Sequence, residues 1–407
     1  MKKAVDFLYS FVYTFSLLFV LFVPFPYYLF PFQEQVNAFL FTKPLIALSP
    51  HLFHIRYSSN IISSDSTLMY TLVIVLFTTA LITATFLLRL SETKKLKLYT
   101  LIRTLLIYFL AMQLLKYGFD KLFKTQFYLP EPNTLYTPFG MLDKDILYWS
   151  TVGVSHGYNV FSGLLEIIAG LLILFRRTRI LGLMFAIAIL LHICALNFSF
   201  DISVKLFSLF LLFISTVLLS PYIKSIHTFF IHKKFAGVVV EDNQSLFAKS
   251  KSVKTGIKFF IIGLIVMEAL YPAITSGNFN DDKTPRPFMH GAYEVKEVLM
   301  NDSLIRPVDF PIKKIFIHRN NYIIFQNQRD EMQDYKLEVD QLKSKLVLTD
   351  YSLKQIDLTY SYSAKDSMLV FDYYEKKIKF NVRAKTLNWK KLPALKRGFH
   401  FRSDSGN

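Results

Sequence analysis

The chain has 407 residues, 52% of them hydrophobic, and a formal net charge of +17. Its apolar residues are gathered into long uncharged blocks, which excludes an ordinary soluble domain and points to a membrane protein. Many basic residues flank those blocks, so topology accounts for the charge and nucleic-acid binding is excluded. The one cysteine, Cys194, lies inside an apolar block, so the chain forms no internal disulfide and carries no paired-Cys redox motif.

From the amino terminus, Met1-Lys2-Lys3 precede an apolar run that reaches Pro24 without a small-x-small cleavage site, the pattern of a retained anchor. About 20 apolar helical residues cross the ~30 Å hydrocarbon layer. Segments that approach this length run from Phe7 to Val23, Met69 to Leu88, Leu98 to Leu115, His156 to Phe175, Ile180 to Phe198, Ile202 to Tyr222 and Ile257 to Ala273. Ala38 to Leu48 is too short and is interrupted by Lys43-Pro44, so it is expected as an interfacial or re-entrant piece. With the amino terminus inside, the inner flanks hold sixteen Lys and Arg and the outer loops six, among them Lys116, Lys121 and Lys124. Positive flanks resist translocation, so the amino terminus is expected in the cytoplasm and everything after Ala273 outside.

After a linker around Ser276 to Pro287, apolar and polar residues alternate, as at Tyr293 and Val295 and at Ile378, Phe380 and Val382. Period two means strands with one buried face. Further strands are expected from Lys314 to His318, Tyr322 to Gln326, Tyr335 to Val339, Lys345 to Thr349, Ile356 to Tyr360 and Ser367 to Tyr373. Short strands without a strong helix signal favour a small antiparallel β-barrel or sandwich. This region has no Gly-x-Ser-x-Gly elbow, phosphate loop or metal-spaced His or Cys cluster, and its histidines, His290, His318 and His400, are expected to be structural or surface residues.

Between Arg103 and Ser208 the polar and small residues form one ordered pattern. It contains Tyr117-Gly118-Phe119-Asp120-Lys121, Gln126-Phe127 with Pro130, then Trp149, Gly153, Ser155, Tyr158, Phe161, Gly163 and Glu166. Gly170-Leu171-Leu172, Arg176-Arg177-Thr178, Gly182 and Leu196-Asn197-Phe198 with Asp201, Val204, Lys205 and Leu206 follow. The pattern resembles the DoxX family, in particular its longer bacterial members, and the strand-rich end with Arg397-Gly398-Phe399-His400 resembles their extracytoplasmic domain, with Phe401 in place of the more usual Trp. The resemblance implies an all-α membrane fold in the inner (cytoplasmic) membrane, a four-helix bundle with flanking transmembrane helices. The expected organisation is two helices and an outer loop over 1–98, the bundle over 99–222, a cytoplasmic loop over 223–256, a last transmembrane helix over 257–275 and the β-rich domain over 276–407. For activity it implies, by analogy, the membrane component of a quinone- or thiol-linked redox system. The alternative is a noncatalytic scaffold or ligand-binding protein whose outer domain recognises an extracytoplasmic or membrane protein partner. An alternating-access transporter ranks behind both, because no paired broken helices are present.

Within the bundle, Glu166 is placed near the bilayer midplane, where a carboxylate costs about 3 kcal/mol and is expected to face inward. It is either a proton-handling or quinone-contacting acid, or a protonated group hydrogen-bonded across helices as packing glue. His192 is placed to reach it, and lacks the second ligand that a metal or haem needs. Asn197, Asp201 and Lys205 are spaced by four at an outer helix junction, with Asp201 expected to cap the following helix. They form either a turn staple with a salt bridge or, with Lys116, Lys121, Gln126 and Trp149, an outer vestibule for an anionic headgroup or substrate. Arg176, Arg177 and Arg179 make the inner turn, with contact to membrane lipid as a small addition. Gly163 and Gly170 lie seven apart and permit close helix packing.

Overall fold

The computed structural model describes residues 2–29, 31–54, 62–233, 251–375, 378–396 and 398. The central part of the expected cytoplasmic loop, 234–250, and the residues Arg397, Phe399, His400 and Phe401 lie outside the described residues. The chain divides into two compact units, one of residues 1–126 and 156–280, the other of 127–155 and 281–407.

The first unit is helical: α1 (Lys2–Phe22), α2 (Phe32–Phe53), α3 (Thr67–Leu87) and α4 (Glu92–Leu122) come before the break. The second unit's α5 (Pro132–Leu135) and α6 (Lys144–Gly153) intervene, and then α7 (His156–Leu174), α8 (Arg179–Ser199), α9 (Lys205–Leu219), α10 (Ile223–Phe230) and α11 (Lys251–Ser276) complete the helical unit. Among the described residues seven helices are long and apolar enough to cross a membrane, the sixth running on through α9 and α10, so this is a multi-pass membrane protein. All seven expected spans are present.

Two boundaries differ from expectation for a physical reason. The third span does not stop at Leu115: α4 continues for 31 residues to Leu122, so Lys116 and Lys121 are helical rather than loop residues. Both ammonium groups are buried against carboxylates, which removes the cost that ends an apolar helix at a charge. The Ala38 to Leu48 piece lies within α2, a continuous 22-residue helix with Pro44 and Pro50 inside it.

Small residues set the closest seam. A methyl added to Gly163 of α7 would sit 2.6 Å from the carbonyl oxygen of Gly118 on α4, and one on Gly118 would meet Ile167 at 2.7 Å. Gly170 faces the same helix, where an added methyl would sit 3.1 Å from the carbonyl oxygen of Ala111, so the two glycines of α7 do share one packing face. Around that seam Leu106, Leu110, Ala111, Ala169 and Ile173 are completely buried. Towards the amino-terminal half of α4, Arg103 is buried and donates to the carbonyl oxygen of Leu218 at the end of α9.

In the second unit the strands are β1 (Gly291–Met300), β2 (Ser303–Ile305), β3 (Ile312–His318), β4 (Tyr322–Asn327), β5 (Met332–Asp340), β6 (Lys345–Thr349), β7 (Gln355–Ser363), β8 (Met368–Glu375) and β9 (Ile378–Leu387). β1 and β3 to β9 form an antiparallel meander, and β1 pairs with β9 to close an eight-stranded barrel; β2 is a short addition at the edge of β1. Closure decides between the two architectures the alternation left open. The register places Val298 opposite Val382, Ile317 opposite Ile323 and Leu346 opposite Leu358, so the inward residues fill the lumen. A bulge between Val295 and Glu297 bends β1 where it changes partner from β3 to β2.

Part of the barrel is buried on its outside as well. Ile315, Phe316 and Ile317 are all buried although strand side chains alternate in direction. The cause is the 127–155 segment. Its Leu129, Leu135 and Tyr136, together with Leu392 and Leu395 from the carboxyl-terminal turns, cover Ala292, Phe316, Ile324 and Trp389. Residues 127–155, expected within the membrane bundle, therefore belong by packing to the barrel unit.

Candidate functional site

The polar side chains of the helical unit converge on the last two turns of α4. Lys121 donates to Glu166 of α7 at 2.6 Å, with both side chains almost completely buried. Five residues earlier on α4, Lys116 donates to Glu268 of α11 at 3.0 Å and to the carbonyl oxygen of Pro26. Five residues are about 140° of rotation at 3.6 per turn, so one helix presents its two lysines to two different neighbours.

The two carboxylates are held differently. Glu268 accepts from the backbone N–H groups of Tyr28 and Leu29, each at 2.8 Å, in addition to Lys116. The second oxygen of Glu166 is buried with no hydrogen-bond partner among the described residues. The rings of Phe25 and Tyr28 stand 4.7 and 4.4 Å from the Lys116 ammonium, so the loop after α1 forms an aromatic collar around it.

Beside that collar lies a pocket of about 250 Å³. Lys116, Tyr117 and Asp120 form its α4 wall, the α1 end supplies Phe19, Phe25 and Tyr28, and Phe207 closes it from α9. Asp65 also lines it and shows why α9 begins where it does. Its carboxylate accepts from the backbone N–H groups of Lys205 at 2.8 Å and Leu206 at 3.1 Å, capping the helix from 140 residues away.

The expected site residues are distributed as follows. Glu166 is buried and faces the bundle interior as expected, but its partner is Lys121; His192 lies on the exposed face of α8. Asn197 donates to Ser208 at 3.0 Å, and Asp201 pairs with Lys205 at 2.6 Å, which is the turn staple with its salt bridge. The cap expected of Asp201 comes from Asp65. Gln126 ends the helical unit, whereas Trp149 belongs to the barrel unit, where its ring lies 4.9 Å from that of Phe127, tilted by 55°. Neither Glu268, a second acid within the last span, nor Asp65 was among the expected site residues. Lys116, expected in the outer vestibule, is instead buried against Glu268 of α11.

The barrel unit has its own buried polar group, at the contact between the 127–155 segment and the strands. Glu131 accepts from His290 at 2.8 Å and from the backbone N–H of Arg319 at 3.2 Å. Arg319 in turn grips Asp281 with both guanidinium nitrogens, at 2.8 and 2.5 Å, and Arg286 adds a third contact at 2.9 Å. Burial pushes the Glu131 carboxyl up, but the hydrogen bond to His290, the imidazoles of His290 and His318, and the Arg319 N–H outweigh it and hold it below the usual carboxylate range. Among the described residues no cluster of His, Cys, Asp and Glu is arranged to hold a metal ion.

No family model and no solved structure matches the chain. Among curated proteins, the uncharacterized protein YwoB of Bacillus subtilis (strain 168) is 38% identical over 71 residues, which is 17% of this chain and 46% of that protein. The chain thus spans under half the length of that relative. The DoxX resemblance rests on the residues quoted for it.

Proposed function

We propose that this protein is a DoxX-type component of the bacterial inner membrane, with its amino terminus in the cytoplasm and its barrel outside, whose bundle binds a quinone headgroup for a thiol-linked redox system. The observation that carries the reading is the pocket beside Lys116. A cavity of ~150 Å³ accommodates benzene, so about 250 Å³ suits a substituted ring. Its walls are aromatic and its polar groups few, as ligand pockets require. An ammonium has three N–H donors, and two of those of Lys116 go to Pro26 and Glu268, leaving one for a quinone oxygen. Asp120 provides an acceptor for a quinol hydroxyl on the same wall. Two thiols of a partner release two electrons and two protons on forming a disulfide, and a quinone takes up the same to become a quinol. The lone Cys194 cannot supply that pair, so the thiols belong to the partner.

The test is extraction and mass spectrometry of protein purified in mild detergent. Quinone is expected with the wild type and about tenfold less with Asp120→Asn, the effect of one charge-assisted hydrogen bond. Absence of quinone, or equal recovery from both, overturns the reading. A second reading, a scaffold that recruits a partner through the barrel, draws on the filled lumen, which leaves only the barrel exterior for recognition. A stoichiometric protein partner without quinone is the outcome that favours it.

A further inference from the structure

The barrel unit carries a cavity of its own, of about 290 Å³, on the outer wall of β4 and β5. It is lined by Asn133, His318, Tyr322, Ile324, Met332 and Asp334. Residues directly opposite in an antiparallel pair point to the same side. Ile324 pairs with Asp334 and Gln326 with Met332, which places the Asp334 carboxylate on the outer face beside Ile324 and Met332. Asn133 reaches the same place from α5.

Two of the side chains lining this cavity have acceptor oxygens to spare. Asp334 accepts the hydroxyl of Tyr351 at 2.5 Å through one oxygen, and its other oxygen has no partner among the described residues. The amide oxygen of Asn133 is buried without a partner. So is that of Gln326, one step further along the same face of β4, whose nitrogen donates to the Tyr136 carbonyl. The Nδ1 of His318 accepts from the Asn320 N–H, which leaves the ring's proton on Nε2 and the ring neutral. Lys336, opposite Tyr322, lies in solvent with its ammonium 3.9 Å from Glu338. The lining thus carries one negative charge, unpartnered carbonyl oxygen, and a floor of Ile324, Met332 and the Tyr322 ring. Buried acceptors without donors are costly and call for a ligand rich in N–H groups.

We propose that this cavity binds an organic ammonium ion: a single amine cation on a short apolar stem, donating to Asp334 and to the Asn133 amide oxygen while the stem packs on Ile324 and Met332 beside the Tyr322 ring. The same chemistry is offered by a free small amine and by a lysine side chain on the surface of another protein. The site is distinct from the quinone pocket and does not rest on it.

Saturation-transfer NMR on the full chain in detergent micelles tests it with three probes: n-butylamine, n-butanol as its neutral counterpart, and a short Gly/Ser peptide with one central lysine. Saturable binding of butylamine is expected, with none of butanol. Asp334→Asn keeps the side-chain shape and is expected to weaken binding about tenfold, the effect of one hydrogen bond to a charged group. Tyr351→Phe frees Asp334 without entering the cavity and is expected to retain or tighten binding, which separates loss of the carboxylate from loss of the fold. Tighter binding of the peptide than of the amine identifies the source as protein; the reverse identifies a free amine. No binding to the wild type, equal binding of butanol, or undiminished binding to a folded Asp334→Asn protein overturns the proposal.

Discussion

The α4–α7 and α4–α11 seams both bury a lysine of α4 against a glutamate, yet they are built in opposite ways. On the α7 side the backbones touch through Gly118 and Gly163, and the ion pair leaves one oxygen of Glu166 unpartnered. On the α11 side Glu268 is fully engaged, drawing two backbone donors from the loop after α1. The first seam is held by steric fit and its carboxylate is incidental to closure. The second is held by the carboxylate, which ties three segments of the chain together.

The largest effect that would break this comparison is at the carboxylates themselves. Glu268→Gln removes the counter-charge of Lys116 and turns a donor toward the Tyr28 or Leu29 N–H, and it is expected to cost about 3–5 kcal/mol. Glu166→Gln likewise removes the counter-charge of Lys121 but turns no donor toward a backbone N–H, and it is expected to cost less, about 2–3 kcal/mol. Denaturant unfolding in mixed micelles measures both; equal costs would remove the distinction. The glycines come next. Gly163→Ala drives a methyl against the Gly118 carbonyl and is expected to cost about 1–3 kcal/mol, whereas Gly263→Ala is expected to be neutral or slightly stabilising. Gly263 is exposed, so it serves as the control; equal losses from the two substitutions would remove the role assigned to the Gly118–Gly163 contact.

The smallest effect concerns Glu131, which accepts two donors but stands outside the membrane-spanning segments, where pH can act on it. Its depressed pKa contributes stability that is present above the usual 4.5 and is lost as pH falls through the folded value. Burial also holds His318 below its usual 6.5, so protonation of the unfolded chain destabilises the fold as pH drops beneath that value. Both act in one direction. The thermal midpoint of the barrel signal, followed by near-UV circular dichroism, is expected to fall from pH 7 to 6 by a small amount and more steeply below 4.5; a midpoint that rises on acidification contradicts the assignment.

Element type was readable wherever a period or a hydropathic block stated it. The seven spans appear in order, and Lys345–Thr349 is a strand with the expected ends, because side-chain pattern records burial directly. Barrel closure was not readable, since the pairing of β1 with β9 joins residues 80 or more positions apart and either architecture satisfies the same alternation. Glu166 was found because a carboxylate inside an apolar block is conspicuous by itself. Its partner was not, because Lys121 follows Lys116 at the end of a span and looks like a boundary signal. The same reasoning hid residues 127–155: their apolar residues bury against the outside of strands that the chain has yet to reach, and local pattern carries no mark of that.

That separation has a consequence for biosynthesis. Glu131 and its donor Arg319 are 188 residues apart, and at ~5–20 residues per second roughly 10–40 s pass between their emergence from the ribosome. During that interval the 127–155 segment has left translation while the β-sheet it covers does not exist. Leu129, Leu135 and Tyr136 must wait with apolar surface uncovered, through the synthesis of five further helices, until Phe316 and Ile324 arrive. The last domain to be made thus includes one of the earlier pieces of the chain, and a nascent protein halted after α11 holds a segment with nothing to close upon.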